Sequence, residues 1–205
     1  MENNLIIIPS RMESKRLPGK PLLDIEGTPM VIRVAKQAIK SNSGLVYIAC
    51  CDEEVYKTAQ NYGINVIMTN TDHSSGTDRI YEAFKNINNT EKIDTIINLQ
   101  GDMPTISSST ISNLVKLKKT IPSDIFTLVN EINDEDEKLD KDTVKVALSF
   151  NKSKRYGKAL YFSRSLIPHG EGPVYHHIGV YAYSRDSLEK FINLRASELE
   201  KRESL

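Results

Sequence analysis

The feature that most constrains the fold is a repeated alternation, over residues 5–129, of short apolar runs with segments of helical periodicity. The first run, Leu5-Ile6-Ile7-Ile8, is typical of a strand buried on both faces, and we expect Pro9 to end it. A helix is predicted after Pro29, and Asp52 can cap the next one. Further strands are predicted at residues 46–49, 64–68, 95–99 and 124–129, and further helices at residues 80–87 and 108–119.

Strands joined by helices of this length imply right-handed crossovers and a mostly parallel sheet, with ligands bound beyond the carboxyl ends of the strands. The pattern changes at residues 133–142, a charged stretch whose run Asp134-Glu135-Asp136-Glu137-Lys138 is predicted to be a solvated loop. Strands are then predicted at residues 144–150, 158–163 and 178–183, and helices at residues 184–194 and 197–205. We therefore predict an α/β fold, with a mostly parallel sheet flanked by helices and a smaller antiparallel extension.

The composition favours a globular protein and excludes several classes of partner. Hydrophobic residues make up 39% of the 205 residues, and 27 basic side chains balance 27 acidic ones. A net charge of zero gives no global attraction to nucleic acid or to anionic membranes, and no apolar run is long enough to span a bilayer. The two cysteines, Cys50 and Cys51, are adjacent and no other thiol is present, so we expect neither a disulfide framework nor a cysteine-based zinc site. A single domain located in the cytoplasm is therefore predicted.

A strongly basic segment, residues 9–21, follows the first predicted strand. It contains four cations, Arg11, Lys15, Arg16 and Lys20. Guanidinium and ammonium groups beside exposed backbone amides can neutralise a polyphosphate, and the segment lies at the sheet edge where ligands bind. It matches neither a Walker A loop nor a GxGxxG dinucleotide motif. The alternative interpretation is a solvated basic loop.

A second signal, Asn98-Leu99-Gln100-Gly101-Asp102, ends the fourth predicted strand at the same edge of the sheet. An aspartate in this position can hold Mg²⁺ against nucleotide phosphates, because Mg²⁺ uses only one or two carboxylates and completes its shell with phosphate and water. Gly101 would let the ligand approach closely. A role for Asp102 in a turn or a cap is the alternative.

Five motifs together resemble those of one family, the CMP-KDO synthetases, also called 3-deoxy-manno-octulosonate (KDO) cytidylyltransferases. The resemblance covers nearly the whole chain and keeps the order of the family. The motifs are Ile8-Pro9-Ser10-Arg11 with Arg16-Leu17-Pro18-Gly19-Lys20-Pro21, Ser75-Gly76-Thr77-Asp78-Arg79, Gln100-Gly101-Asp102, Ala159-Leu160-Tyr161-Phe162-Ser163-Arg164 and His177-Ile178-Gly179-Val180-Tyr181.

The resemblance implies a Rossmann-like sugar nucleotidyltransferase fold and an enzyme that converts CTP and KDO into CMP-KDO and pyrophosphate, with Mg²⁺, for lipopolysaccharide synthesis. It also implies a nucleotide-binding half at residues 1–131, a sugar-binding and dimerisation half at residues 143–194, and a homodimer. CTP and KDO would be the small-molecule substrates, and the balanced charge predicts no nucleic-acid and no membrane partner.

Roles for individual residues follow from the resemblance in the same way. The predicted nucleotide-binding residues are Ser10, Arg11, Arg16, Lys20, Ser75, Gly76, Arg79 and Gln100. The predicted sugar-binding residues are Gln100, Arg164, His177 and Tyr181. Asp102 would bind the metal, and Lys20, Arg11 and Asp102 would be catalytic. Arg164 has a chemical reason for its role, because a bidentate guanidinium fits the carboxylate of KDO.

Less specific interpretations apply to several of these positions. His177 lies in a strand-like run and could be an ordinary half-buried imidazole, whereas His73 and His169 are expected in loops. Tyr161 and Phe162 are expected to be core residues rather than ligands, from ordinary burial preferences.

The sequence also departs from the family. The family's Ala-Thr-Asp after the second strand is Ala49-Cys50-Cys51 here, with an acid only at Asp52, and Met103 replaces a common Glu. The chain stops at Leu205, before the family segment that carries the second Mg²⁺ ligand. The alternative functions are therefore a truncated, catalytically impaired nucleotide-binding remnant, or a cytidylyltransferase for another acidic sugar such as a sialic acid.

Overall fold

The computed structural model describes residues 3–13, 17–73, 75–150 and 156–205. The strands are β1 (Asn4–Ser10), β2 (Asp24–Ile25), β3 (Thr28–Pro29), β4 (Leu45–Cys50), β5 (Val66–Met68), β6 (Thr95–Leu99), β7 (Ile125–Glu131), β8 (Lys145–Phe150), β9 (Gly157–Ser163) and β10 (Tyr175–Ser184). The helices are α1 (Met30–Lys40), α2 (Glu53–Asn61), α3 (Gly76–Asn86), α4 (Ser108–Thr120), α5 (Glu135–Leu139), α6 (Arg185–Ile192) and α7 (Glu198–Glu203), with a 3-10 turn at Lys20–Leu22.

The chain forms two compact units. The first consists of Met1–Phe126 and Val180–Asn193, and the second of Thr127–Gly179 and Leu194–Leu205. The boundary differs from the predicted halves at two places. Residues 127–131, predicted in the first half, belong to the second unit, and residues 180–193, predicted in the second half, belong to the first. Residues 180–193 belong to the first unit because the end of β10 pairs with β6, from Val180 opposite Leu99 to Ser184 opposite Thr95.

The sheet of the first unit confirms the predicted α/β arrangement. Its strands lie in the order β5, β4, β1, β6, and all three pairings are parallel; the end of β10 adds an antiparallel edge. All seven residues of β1 are buried, as expected for a strand with neighbours on both edges and helices on both faces. Leu5, Ile7 and Ile96 pack in one core cluster with Ile80 and Phe84 of α3.

The prediction that Pro9 ends the first strand is wrong, because β1 continues to Ser10. Pro9 lies opposite Ala49 of β4, whereas the pairing of β1 with β6 ends at Ile7 opposite Asn98. The carbonyl oxygen of Pro9 is close to Gly101, on the β6 side. The N–H group that proline lacks therefore falls where the ladder has already ended, and the strand loses no hydrogen bond there.

The charged stretch predicted to be a loop contains helix α5, so that prediction is also wrong. The Asp134 side chain accepts a hydrogen bond from the Asp136 N–H, and three acids occupy the first turn. Acidic side chains at the amino end of a helix and a lysine near its carboxyl end favour helix formation, and Lys138 pairs with Glu135 at 2.6 Å. The hairpin of β2 and β3 was not predicted; it turns at Gly27, whose φ is 76°.

The second unit has the predicted antiparallel character. Strands β8 and β9 form an antiparallel pair, from Lys145 opposite Ser163 to Phe150 opposite Gly157. Strand β10 begins in this unit, three residues earlier than the predicted start at residue 178, and pairs with β8 and β7. Among the described residues of the whole chain, no helix is both long and apolar enough to cross a bilayer.

Candidate functional site

A cleft of about 840 Å³ lies in the first unit, at the carboxyl ends of β1 and β6. It gathers residues from the end of β1, from the basic segment, from the start of α3 and from the turn after β6. Seven predicted nucleotide-binding residues and the predicted metal ligand line it: Ser10, Arg11, Lys20, Ser75, Gly76, Arg79, Gln100 and Asp102. Arg16, like Lys15, lies outside the described residues. The topology thus brings together residues separated by up to 92 positions, from Ser10 to Asp102.

The described ends of the basic segment are tied to each other and to their neighbours. The Met12 carbonyl accepts a hydrogen bond from the Gly19 N–H at 3.0 Å, and Gly19 adopts a left-handed conformation with φ 73°. On one side the Met12 N–H donates to the Asp52 carboxylate at 2.8 Å. On the other side the Lys20 ammonium group donates to Asp102 at 2.8 Å. The cations of this segment are therefore attached to a fixed frame, which favours a binding loop over a freely solvated one.

The start of α3 forms another wall of the cleft. The Ser75 hydroxyl accepts a hydrogen bond from the Asp78 N–H, and the Asp78 carboxylate accepts one from the Ser75 N–H, which is a complete capping box. A Cβ atom on Gly76 would lie 3.2 Å from Cγ of Pro9, so the residue has to be small where the helix meets β1. The positive end of the α3 dipole adds to the attraction of the cleft for anions.

Two residues that line the cleft each carry a buried polar atom with no hydrogen-bond partner among the described residues. One is Oγ of Ser10, and the other is Nη2 of Arg79. Arg79 is only 2% exposed, and its other terminal nitrogen donates to Thr69 Oγ1 at 2.6 Å and to the Asn70 carbonyl at 3.1 Å. A buried polar atom left unpaired costs free energy, so both atoms are candidates for contacts with a polar group of a ligand.

His73 also lines the cleft and was expected only as a loop residue. Its imidazole pairs with Glu82 of α3, and the Glu82 carboxylate also accepts the Asn70 N–H at 2.9 Å. Burial raises the pKa of Glu82, but the hydrogen bonds from His73 and Asn70 outweigh it and the net pKa is lowered. Glu82 is therefore ionised and fixes the ring of His73. The spacing of His73 and Glu82, nine residues across a loop and a helix start, gave no signal in the sequence.

The donor set of the cleft fits a hard cation that is held mainly by phosphate. Asp102 has a side chain that is 49% exposed, so its carboxylate can exchange Lys20 for another cation. Within the described ranges, no three His, Cys, Asp or Glu side chains are placed to hold a metal ion by themselves. Mg²⁺ needs only one or two carboxylates when substrate phosphates supply the other ligands, so Asp102 is compatible with it.

Gln100 and Tyr181, two of the predicted sugar-binding residues, belong to the first unit. Gln100 lines the cleft, and its amide nitrogen donates to Asn98 Oδ1 at 3.0 Å. The Tyr181 ring packs against the core cluster and lies 6.0 Å from the ring of Tyr183. Burial raises the pKa of Tyr181, so its phenol is protonated at neutral pH. A contact of either residue with a sugar stays a prediction.

Arg164, in the second unit, is held by backbone carbonyl groups. Its guanidinium donates to the carbonyls of Glu203, Ser204 and Lys141, at 3.0, 3.1 and 3.0 Å. Its own N–H donates to the Glu203 carboxylate at 2.9 Å. Arg164 therefore fastens α7 to the end of β9, a structural role that the sequence did not reveal. Its predicted role with the sugar carboxylate stays a prediction.

The carboxylate of Glu203 is bound by the motif that the resemblance assigned to the sugar. It accepts hydrogen bonds from the Tyr161 hydroxyl at 3.1 Å and from the Ser163 hydroxyl at 2.9 Å. Tyr161 and Phe162, expected in the core, are only partly buried. Phe162 packs edge-on against His177, with ring centroids 4.9 Å apart.

His177 lies in the second unit and is half-buried, as expected if it is an ordinary strand residue. Its Nε2 lies 2.9 Å from Thr127 Oγ1, and the Thr127 hydroxyl is also 3.1 Å from the Ile178 carbonyl. Burial, and then the neighbouring His176, lower the pKa of His177 to about 4. The ring is therefore neutral at neutral pH. Whether it contacts a sugar stays a prediction.

Comparison with known proteins supports the family suggested by the motifs. A family model described as "Cytidylyltransferase" matches residues 5–205. The chain is 43% identical over 201 residues to a 3-deoxy-manno-octulosonate cytidylyltransferase of Paramagnetospirillum magneticum, covering 98% of this chain and 82% of that protein. It is 47% identical over 201 residues to the enzyme of the same name from Brucella canis, covering 98% and 80%.

A solved structure agrees with these relatives. CMP:2-keto-3-deoxy-manno-octonic acid synthetase complexed with CTP superposes with a TM-score of 0.89 at 38% identity, over 98% of this chain and 82% of that one. The fold predicted from the resemblance is thereby confirmed. The chain belongs to the 3-deoxy-manno-octulosonate cytidylyltransferase family.

Proposed function

We propose that this protein is a CTP-dependent nucleotidyltransferase that joins CMP to KDO and releases pyrophosphate, as a step of lipopolysaccharide synthesis. The observation that carries the proposal is the cleft at the carboxyl ends of β1 and β6, which gathers three cations, the amino end of α3 and Asp102. Membership of the family supplies the substrates, because relatives of 43–47% identity are named for this reaction.

The cleft is suited to an in-line transfer at a phosphate. The anomeric hydroxyl of the sugar attacks the α-phosphorus of CTP, a sugar oxygen–phosphorus bond forms, and the bond to the pyrophosphate oxygen breaks. Such a reaction needs positioning and neutralisation of charge more than covalent catalysis. Arg11 and Lys20 supply cations to the triphosphate, and the backbone at the start of α3 adds positive potential.

Mg²⁺, when bound, neutralises phosphate charge and polarises the leaving group. Asp102 would hold it in the cleft, and Lys20 would turn from Asp102 to the phosphates. The 2.8 Å pair of these two side chains supports this exchange, because both side chains are partly exposed.

Base recognition belongs to residues 75–79 in this proposal. Arg79 offers a buried donor that lacks a partner among the described residues, and cytosine has acceptors at O2 and N3. Ser10 offers a second such donor through its hydroxyl. Adenine presents a different edge, so a fixed set of donors favours one base over the other.

The sugar would be bound by Gln100, Arg164, His177 and Tyr181. A homodimer in the cytoplasm completes the proposal, on the strength of the family resemblance. The identity of the sugar is the part of the proposal that most needs a test, because another acidic sugar also carries a carboxylate.

The proposal is tested by incubating the protein with CTP, Mg²⁺ and either KDO or N-acetylneuraminic acid, and identifying the products by mass spectrometry. We expect CMP-KDO, with little or no CMP-linked sialic acid. CMP linked mainly to the sialic acid would favour the alternative acidic-sugar cytidylyltransferase. Absence of both products, with CTP still bound, would favour the nucleotide-binding remnant.

A further inference from the structure

Asp52 holds the N-cap position of α2, yet its side chain makes no capping hydrogen bond. The predicted position of Asp52 at the start of the helix is therefore correct, but the predicted capping hydrogen bond is not formed. The carboxylate instead accepts the Met12 N–H at 2.8 Å, across 40 residues of sequence. An aspartate at an N-cap ordinarily satisfies the free amides of its own helix. Here the side chain instead binds the backbone of the segment that follows β1.

A second donor reaches the same carboxylate oxygen. Sγ of Cys51 lies 3.4 Å from Oδ2 of Asp52. Burial raises the pKa of the Cys51 thiol, so the thiol is protonated at neutral pH and can donate its weak hydrogen bond. Both contacts favour one orientation of the Asp52 side chain, toward Met12.

Met12 is the residue through which this contact acts on the cleft. It follows Arg11 directly, and its carbonyl accepts the Gly19 N–H, next to Lys20. Fixing Met12 therefore restricts Arg11, which precedes it in the chain. Through the hydrogen bond to Gly19 it also restricts Lys20. Asp52 itself does not line the cleft, so it acts on the ligand through Met12.

The order of the strands explains why a carboxylate is needed at this point. β1 lies between β4 and β6, and Asp52 follows β4 whereas Asp102 follows β6. The segment after β1 is thus tied from both sides. The tie through Lys20 and Asp102 uses two groups that the proposed reaction needs for its substrate. The tie through Asp52 uses a backbone N–H and a carboxylate that does not line the cleft.

We propose that Asp52 is a positioning residue, which holds Met12 so that Arg11 and Lys20 are placed to bind the triphosphate of CTP. The inference rests on the proposed function for the identity of the nucleotide, but the contact of Asp52 with Met12 can be measured without any ligand.

Three variants of Asp52 separate its roles. Asp52→Asn keeps an acceptor for the Met12 N–H without the charge, Asp52→Ser keeps a good N-cap residue for α2 but loses the carboxylate, and Asp52→Ala loses both. Ser107→Ala is the matched control, because Ser107 caps α4 by accepting the Thr110 N–H and does not line the cleft.

CTP affinity is measured by calorimetry and the exchange rate of the Met12 amide by hydrogen exchange in the absence of ligand. We expect Asp52→Ala and Asp52→Ser to weaken CTP binding by about tenfold or more, and Asp52→Asn by roughly threefold, since a charged hydrogen bond is about twice as strong as a neutral one. Met12 exchange should quicken by about tenfold in the Ala and Ser variants. Ser107→Ala should lower the unfolding temperature and leave both quantities unchanged.

Unchanged CTP affinity in Asp52→Ser would overturn the inference, as would an unchanged Met12 exchange rate. If Asp52→Ala does not fold, the Ser and Asn variants decide the question. A wild-type protein that does not bind CTP would instead refute the proposed function, and Met12 exchange would still decide whether Asp52 fixes the segment.

Discussion

Lys20 and Asp102 are the pair of residues whose charges most concern ligand binding. Their side chains are 34% and 49% exposed, and a pair as exposed as this contributes at most about 1 kcal/mol to folding. Breaking the pair therefore costs the folded protein little free energy. A triphosphate offers Lys20 a stronger partner than one carboxylate, which is consistent with a role in binding rather than in stability.

Lys20→Ala should weaken CTP binding by about 1.5–3 kcal/mol, the usual cost of a lost charged hydrogen bond, and should reduce the salt dependence of binding. Calorimetric titration at two salt concentrations measures both effects. Lys57→Ala is the matched control, since Lys57 is an exposed lysine paired with Glu53 and does not line the cleft. Equal CTP affinity in the two variants would contradict the assignment of Lys20.

His177 predicts a dependence of stability on pH. Its pKa is about 4 in the folded protein and about 6.5 when unfolded, so between these values the unfolded chain binds the extra proton. No stability is lost above pH 6.5, and up to about 3 kcal/mol is lost as the pH falls to about 4.

His177→Gln, which cannot take up that proton, should show a shallower fall in unfolding free energy between pH 7 and pH 5 than the wild type. Urea denaturation at several pH values makes the comparison, and His169→Gln, at an exposed position, is the control. Parallel curves for the wild type and His177→Gln would mean that the imidazole is not held neutral by burial.

At the scale of elements, a polar contact joins α7 to β9 within the second unit. Glu203 accepts hydrogen bonds from three groups of β9 and the residue after it: the Tyr161 hydroxyl, the Ser163 hydroxyl and the Arg164 N–H. Hydrogen bonds from Arg164 and Ser163 lower the pKa of Glu203. The contact is therefore fully present at pH values above the usual pKa of a glutamate, and it is lost as the pH falls through the lowered pKa. A helix of six residues is too short to persist without such contacts.

Glu203→Ala should therefore release α7. We expect amide hydrogen exchange over residues 198–203 to quicken by about tenfold, as measured by mass spectrometry. Glu198→Ala removes an exposed acid of the same helix, paired only with Lys201 in the described contacts, and should change the exchange much less. Equal exchange in the two variants would show that the contact of Glu203 does not hold the helix.

Elements with clear periodicity were predictable from the sequence, and those that depend on other parts of the chain were not. The strand β6 lies where its apolar run predicted it. A strand that is buried on both faces of a parallel sheet forms a continuous apolar run, which can be recognised directly in the sequence. The extension of β1 through Pro9 depends on where β6 stops pairing, which no local pattern records. Helix α5 was missed because its residues are all polar or charged except Leu139.

At the scale of the whole molecule, the position of the cleft followed from topology and its internal contacts did not. A parallel sheet brings the ends of β1 and β6 to one edge, so Arg11 and Asp102 could be placed together from the sequence. The contacts of Asp52 with Met12 and of Glu203 with Ser163 span 40 residues each, and they depend on side-chain geometry that residue types alone do not determine.

The most direct measurement is pyrophosphate release by the wild-type protein in the presence of Mg²⁺. We expect release only when CTP and KDO are both present, and little or none when ATP replaces CTP. The same assay without KDO, and with CTP and Lys20→Ala, gives the controls. Pyrophosphate released at the same rate without KDO, or from ATP as readily as from CTP, would contradict a cytidylyltransferase that acts on this sugar.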